Sequence, residues 1–407
     1  MPTCELITIG SELLSGSVLN TNAQFLAKEL TQLDFSVVYQ VSCRDQEEEI
    51  LETLALAFKR SDLVIVTGGL GPTPDDITRE VIAKFFHCGL RFDRNQYRQI
   101  VRHFRFLNRM APLLTRREAH FPEAAKPLLN KFGIALGFYV WEGEKLLIAL
   151  PGVPVELVRM FETSVKKLVL QKFKDRPETY SLEARIAGLY ETQIMRKLTS
   201  RFFKGRDFDF GIYPEVGEVI IRIKSKDKAL VALLKQELKD RLGAALYTFQ
   251  GMPMAELIGV KLVRGRKTLA VAESCTGGLV AQKLTEFSGA SRFFTGGIVA
   301  YSNDVKQNQL SIPEELIKKY GAVSSQVASA MARAVRERYR TSMGVSVTGI
   351  AGPTGGSSQK PVGLVYFGIS DKGRTSSFKF RFLGGREKVR SQAAQKALLL
   401  LWKWITS

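Results

Sequence analysis

Ser274 stands in the run Glu273-Ser274-Cys275-Thr276-Gly277-Gly278, between the strand-like Thr268-Leu269-Ala270-Val271-Ala272 and an apolar helical pattern that begins at Leu279. A hydroxyl on such a turn is expected to be surrounded by backbone N–H groups and the positive end of a helix dipole. That setting suits a nucleophile whose product oxyanion needs backbone donors. A phosphate nest or a plain helix cap uses the same turn, and the turn alone favours those readings. The available base shifts the balance. All three histidines (His87, His103, His120) lie in the first third, so no Ser-His-Asp triad can be built within this unit, and the same absence weakens a Cys275–His pair. A serine amidohydrolase would then need a lysine whose pKa is lowered by burial or nearby cations. Lys306 is a candidate, at the end of Gly296-Gly297-Ile298-Val299-Ala300-Tyr301-Ser302-Asn303-Asp304-Val305-Lys306. A second Gly-rich turn, Thr348-Gly349-Ile350-Ala351-Gly352-Pro353, follows another strand-like stretch. It faces the first turn if the two strands are parallel neighbours.

A second constellation lies near the start of the chain. It comprises Gly10-Ser11-Glu12, Asn20-Thr21-Asn22 and Thr67-Gly68-Gly69-Leu70-Gly71-Pro72-Thr73-Pro74-Asp75-Asp76. A strand running into three glycines in four residues reads as a phosphate cradle, and the two carboxylates are candidate ligands for a divalent cation. In isolation such a carboxylate pair more often caps a helix. The run is not a dinucleotide fingerprint, because Pro74 stands where the third glycine belongs.

The elements that must carry these residues alternate. Strand patterns at 4–9, 35–41, 62–67 and 145–150 are interleaved with helical patterns at 22–33 and 47–58, which predicts βαβ units and a mainly parallel sheet. Residues 181–187, 192–201 and 229–242, with a hairpin-like pair around Gly217, predict a small α+β module. There is no internal repeat and no low-complexity segment. Arg94, Arg98, Arg102, Arg105 and Arg109 form a stripe on an amphipathic helix, which reads first as a solvated face.

The chain has 407 residues and a formal charge of +19, with 24% charged and 45% hydrophobic side chains. This composition excludes a disordered or fibrous protein. Residues 255–407 hold 23 basic against 9 acidic side chains, so most of the excess sits there and attracts anions. Four scattered cysteines without a Cys-x-x-Cys pair argue against a disulfide framework or a zinc ribbon. No apolar run approaches the roughly 18 residues of a membrane span, and a soluble, cytoplasmic protein with no membrane partner is expected.

Residues 273–278, 294–306, 321–324 and 348–363 together resemble the motifs of the CinA C-terminal domain, the nicotinamide mononucleotide deamidase family also called PncC. The resemblance implies a Ser/Lys amidohydrolase that releases ammonia from nicotinamide mononucleotide without a cofactor. Ser274 would be the nucleophile, Lys306 the general base, Tyr301 a proton relay or orienting group, and Thr348 a positioning group. Thr276, Gly277, Gly278 and Gly349 would line the substrate, with the Gly277 and Gly278 amides holding the oxyanion. A C-terminal arginine, Arg386 first and Arg390 second, would meet the nucleotide.

The N-terminal motifs, with Pro151-Gly152-Val153-Pro154 and Glu156, resemble the CinA N-terminal domain, which is related to molybdopterin-binding folds. Some members of that family have a metal-dependent ADP-ribose pyrophosphatase activity there. This implies Asp75 and Asp76 near a divalent metal, Gly68, Gly69, Gly71 and Thr73 near phosphates, and Glu12 and Asn22 near the substrate. The chain departs from the family pattern at Gly133-Ile134-Ala135-Leu136-Gly137, where Gly-Thr-Ala-Pro-Gly is usual, and at Glu118, where Gln is common. The lost hydroxyl and turn-setting proline leave that activity open.

The expected fold is α/β in three parts. A doubly wound N-terminal domain (1–172) is followed by a small α+β, KH-like linker domain (173–251) and a C-terminal α/β amidohydrolase domain (252–407). The linker contains no Gly-x-x-Gly loop, so RNA binding is not supported. Nicotinamide mononucleotide and ADP-ribose are the expected small-molecule partners, and a homodimer the expected assembly. The competing reading is a non-catalytic protein that binds nucleic acid or a recombination partner. A further alternative keeps the C-terminal fold but leaves only the N-terminal pyrophosphatase active.

Overall fold

The computed structural model describes residues 1–174 and 178–407, which separate into two compact units, Met1–Glu178 and Thr179–Ser407. In the first unit, Thr3–Ile9 lies between Ser36–Cys43 and Leu63–Thr67, and Lys145–Leu150 extends the sheet. These four strands are parallel, while Gly137–Glu142 and Lys126–Leu128 add an antiparallel edge. The two-residue period of the strands sorts the core. Cys4 and Leu6 pack with Leu63, Ile65 and Ile148 on one face, and Ile7 and Ile9 pack with Val64, Val66 and Ala149 on the other. Leu26 and Leu30 of helix Thr21–Gln32 cover the first face, and Ile50 and Leu54 of Glu47–Arg60 cover the second. Helices on both faces explain why the strands read as continuous apolar runs. The unit is doubly wound, as its sequence pattern predicts.

The loop after Leu63–Thr67 is held from behind by a buried cation. Arg79 is 1% exposed and donates to the carbonyls of Leu70 and Gly71. Arg117 donates to the carbonyl of Thr73 at 2.7 Å and to Glu80 at 2.8 Å. Arg79→Leu leaves those buried carbonyls without donors, so we expect a loss of about 2–3 kcal/mol, read as a lower urea midpoint. An unchanged midpoint would show that the loop holds its shape without the guanidinium.

The second unit contains two sheets. Asp209–Glu215, Glu218–Ser225, Tyr180–Ala187 and Leu246–Thr248 form an antiparallel sheet packed on helices Glu191–Phe203 and Lys228–Leu242. The larger sheet has the order Phe294–Val299, Leu269–Glu273, Met343–Gly349, Leu364–Ser370 and Thr375–Arg381. Its first three strands are parallel and the last two antiparallel. Val271, Val345 and Val347 pack on one face with Ala393, Ala397 and Leu398 of the long helix Arg386–Thr406. Ala270 and Ala272 face the opposite way, toward Val327 and Met331 of Ser325–Arg338. Among the described residues no helix is long and apolar enough to cross a membrane.

Candidate active site

Leu269–Glu273 and Met343–Gly349 are parallel neighbours, so their C-terminal ends emerge side by side. Ser274 begins directly where the first strand stops. Its amide donates to the Val347 carbonyl at 2.9 Å, and the Ala300 amide donates to the Glu273 carbonyl at 2.7 Å. The turn is thereby fixed to strands on both sides. Gly277 (φ +58°) and Gly278 (φ +98°) then reverse the chain into helix Leu279–Thr285, a path that disfavours side chains.

Lys306 lies on helix Asn303–Leu310, whose N-cap Ser302 accepts from the Val305 amide at 3.2 Å. The side chain points inward and is 1% exposed. Its Nζ is 3.3 Å from Ser274 Oγ, 2.8 Å from the Ala300 carbonyl and 3.2 Å from the Tyr301 carbonyl. No carboxylate forms an ion pair with it among the described residues. Burial pushes its pKa below the ordinary lysine value, partly opposed by the neighbouring Cys275. A neutral amine in this setting has acceptors for its two N–H groups and a lone pair for the Ser274 hydroxyl proton. Burial raises the Cys275 thiol to about 12, which makes it a poor thiolate source beside Ser274.

Several positions differ from the sequence-based expectation. The Gly277 amide donates to the Ser274 carbonyl at 3.1 Å, and the Gly278 amide to Glu273 Oε2 at 3.0 Å. Both donors are used internally, so neither is free for an oxyanion. The helix start is closed as well, since the Val280 and Ala281 amides donate to the same carboxylate at 3.1 and 2.8 Å. Within residues 274–281, the Cys275 and Thr276 amides are the ones that make no hydrogen bond to another described residue. Thr276 itself is fully buried, with an unpartnered hydroxyl.

The Tyr301 hydroxyl does not reach the dyad. It accepts from Arg386 at 2.5 Å, and Tyr301 meets Lys306 only through its carbonyl. Arg386 also donates to the Gly352 carbonyl at 2.8 Å, and Arg390, one turn on, donates to the Thr276 carbonyl at 3.0 Å. Both arginines therefore border the two Gly-rich turns. The buried Thr348 hydroxyl donates to the Ala322 carbonyl at 2.9 Å and ties in the loop before Ser325–Arg338. Gly349 sits within its strand, opposite Val365.

In the first unit Asn22 donates to the Gly152 carbonyl at 2.7 Å and to Thr67 at 3.3 Å, leaving its buried Oδ1 unpartnered. Gly68 (φ +103°) passes so close to the Ile9 carbonyl that no side chain fits, while the Gly69 carbonyl accepts from the Thr78 amide. Glu12 is exposed and folds back over Gly10. Asp76 Oδ2 accepts from the Thr73 amide at 2.9 Å and its hydroxyl at 2.5 Å, and Asp75 is exposed. No group of three or more His, Cys, Asp or Glu suited to a metal occurs among the described residues. With Asp76 engaged and two guanidiniums on the loop carbonyls, these residues do not fit a divalent cation. Glu118, which is 2% exposed with an unpartnered Oε2, is pushed by burial to about 7.

Together these features define a two-unit α/β protein with a buried hydroxyl–lysine pair at adjacent strand ends. Residues 252–405 match the CinA C-terminal domain, and residues 5–171 match the domain described as “Probable molybdopterin binding domain”. The chain belongs to the CinA family. It is 37% identical over 404 residues to a CinA-like protein of Dictyoglomus thermophilum, covering 97% of each chain. It is 38% identical over 400 residues to a CinA-like protein of Kosmotoga olearia, again covering 97% of each. The solved competence/damage inducible protein CihA of Agrobacterium tumefaciens is 38% identical, with a TM-score of 0.37, covering 38% of this chain and 94% of that one.

Proposed function

We propose that the second unit hydrolyses the carboxamide of nicotinamide mononucleotide to nicotinate mononucleotide and ammonia. The observation that carries the chemistry is the buried Lys306 Nζ, 3.3 Å from Ser274 Oγ and without an anionic partner. The substrate rests on the family resemblance of the four C-terminal motifs, and the basic excess of residues 255–407 agrees with a phosphorylated one.

Ser274 Oγ attacks the carboxamide carbon while Lys306 Nζ takes its proton. The Cys275 and Thr276 amides donate to the oxyanion. The protonated lysine then gives its proton to the departing nitrogen as the C–N bond breaks, leaving an ester on Ser274. Water, deprotonated by Lys306, attacks that ester, and the proton returns to Ser274. Arg386 meets the phosphate and, through Tyr301, closes the site.

Purified chain is expected to yield ammonia and nicotinate mononucleotide in equal amounts from nicotinamide mononucleotide, and little from nicotinamide or its riboside. Equal rates on all three would contradict a phosphate-reading site. Arg386→Ala is expected to raise KM about tenfold with kcat nearly unchanged, the loss of one charge-assisted contact. An unchanged KM would pass the phosphate to Arg390.

A further inference from the structure

Of the four buried carboxylates among the described residues, Glu5 pairs with Arg60 and Glu218 with Arg185 and Tyr247, while Glu118 has no ion pair and an unpartnered Oε2. Glu273 differs. It is 1% exposed, forms no ion pair among the described residues, and spends both oxygens on backbone. Oε2 accepts from the Gly278 and Val280 amides at 3.0 and 3.1 Å, and Oε1 accepts from the Ala281 amide at 2.8 Å.

The side chain thus reaches across residues 274–277 and pins the far end of the turn, whose near end is held by the Ser274 and Ala300 amides. Without it, the first amides of helix Leu279–Thr285 lose their acceptors and must find others within the turn or in water. Such a rearrangement bears on Ser274, because the Gly277 amide that donates to the Ser274 carbonyl is next to the pinned Gly278.

We propose that Glu273 is a positioning residue of the Ser274–Lys306 site. It holds the turn in the arrangement that brings Ser274 Oγ to Lys306 and leaves the Cys275 and Thr276 amides free. The role rests on the amidase reading and deepens it. A carboxylate is required because two acceptor oxygens serve three donors. Glutamine has one acceptor, and its amide group would set a donor against the Ala281 N–H or, flipped, against those of Gly278 and Val280.

Glu273→Gln in the full chain is the test, with kcat expressed per folded molecule, well below the melting temperature. We expect kcat to fall about 100-fold, the scale of a small misplacement of a reacting atom, with KM within about threefold of wild type. A cap that serves stability alone would lower the melting temperature and leave kcat untouched, and that result overturns the proposal. Ala281→Pro, which deletes one of the three donors to Glu273 within the first turn of the helix, should cost roughly five- to tenfold in kcat. It decides the matter if Glu273→Gln does not fold, and wild-type kcat in it again overturns the proposal. Labelling of Ser274 by a fluorophosphonate separates this claim from the substrate claim. Slower labelling in Glu273→Gln supports positioning even if wild type releases no ammonia. Equal labelling and turnover in both proteins removes Glu273 while leaving the amidase reading intact.

Discussion

Ser274→Ala releases no ammonia above background from nicotinamide mononucleotide, a fall of about 10⁴-fold or more in kcat, while still binding the nucleotide. The expectation follows from the absence of a substitute. Cys275, the neighbouring thiol, is buried and held protonated, and the Thr276 hydroxyl is fully buried and has no hydrogen bond to Lys306. The substitution removes one small polar atom from a turn fixed by backbone hydrogen bonds, so the arginines and the glycine turns keep their places. Calorimetric titration with nicotinamide mononucleotide checks the binding half of the prediction. Residual turnover within tenfold of wild type would remove Ser274 as nucleophile.

Lys306→Arg and Lys306→Met are each expected to lose about 10³-fold in kcat, the scale of a missing general base. A guanidinium stays charged and has no lone pair for the Ser274 proton. Methionine keeps an unbranched stem one atom shorter than lysine and suits the buried site, so it separates lost chemistry from lost packing. Near-normal activity in the methionine variant would place the base elsewhere. The wild-type pH profile carries the same information. Only neutral Lys306 accepts the proton, and burial lowers its pKa. The kcat therefore rises with pH through that lowered pKa and falls as acid returns the proton. A kcat that does not fall on the acid side at any pH where the chain stays folded would deny the lysine this role.

Much of the scaffold is legible in the residues. Short continuous apolar runs mark Thr3–Ile9, Leu63–Thr67 and Lys145–Leu150, and Gly10, Gly68 and Pro151-Gly152 mark the turns that follow them. The antiparallel strands Leu364–Ser370 and Thr375–Arg381 and the helix Arg386–Thr406 are less so. Helix Arg386–Thr406 buries most of its length and so lacks a polar face to set its period, while Thr375–Arg381 mixes polar and aromatic residues. In the site, the absence of histidine points only to a lysine base, and the choice of Ser274 and Lys306 rests on the resemblance to the CinA C-terminal motifs. The acceptors around Lys306 are backbone carbonyls, which no residue type announces. Glu273 had a signal, an acid six residues before helix Leu279–Thr285, but nothing local shows that its carboxylate would occupy the Gly278 amide, one of the two otherwise assigned to the oxyanion. At the first unit's Gly-rich loop, packing against Ile9 and the Thr73–Asp76 contacts account for residues that spacing alone assigns to phosphate and metal.

The most direct test of the central claim is ammonia release from nicotinamide mononucleotide in EDTA, measured side by side for the wild-type chain and Ser274→Ala. Release by the wild type alone is the predicted result and would fit an amidase centred on Ser274. Release by both proteins, or by neither, would contradict it.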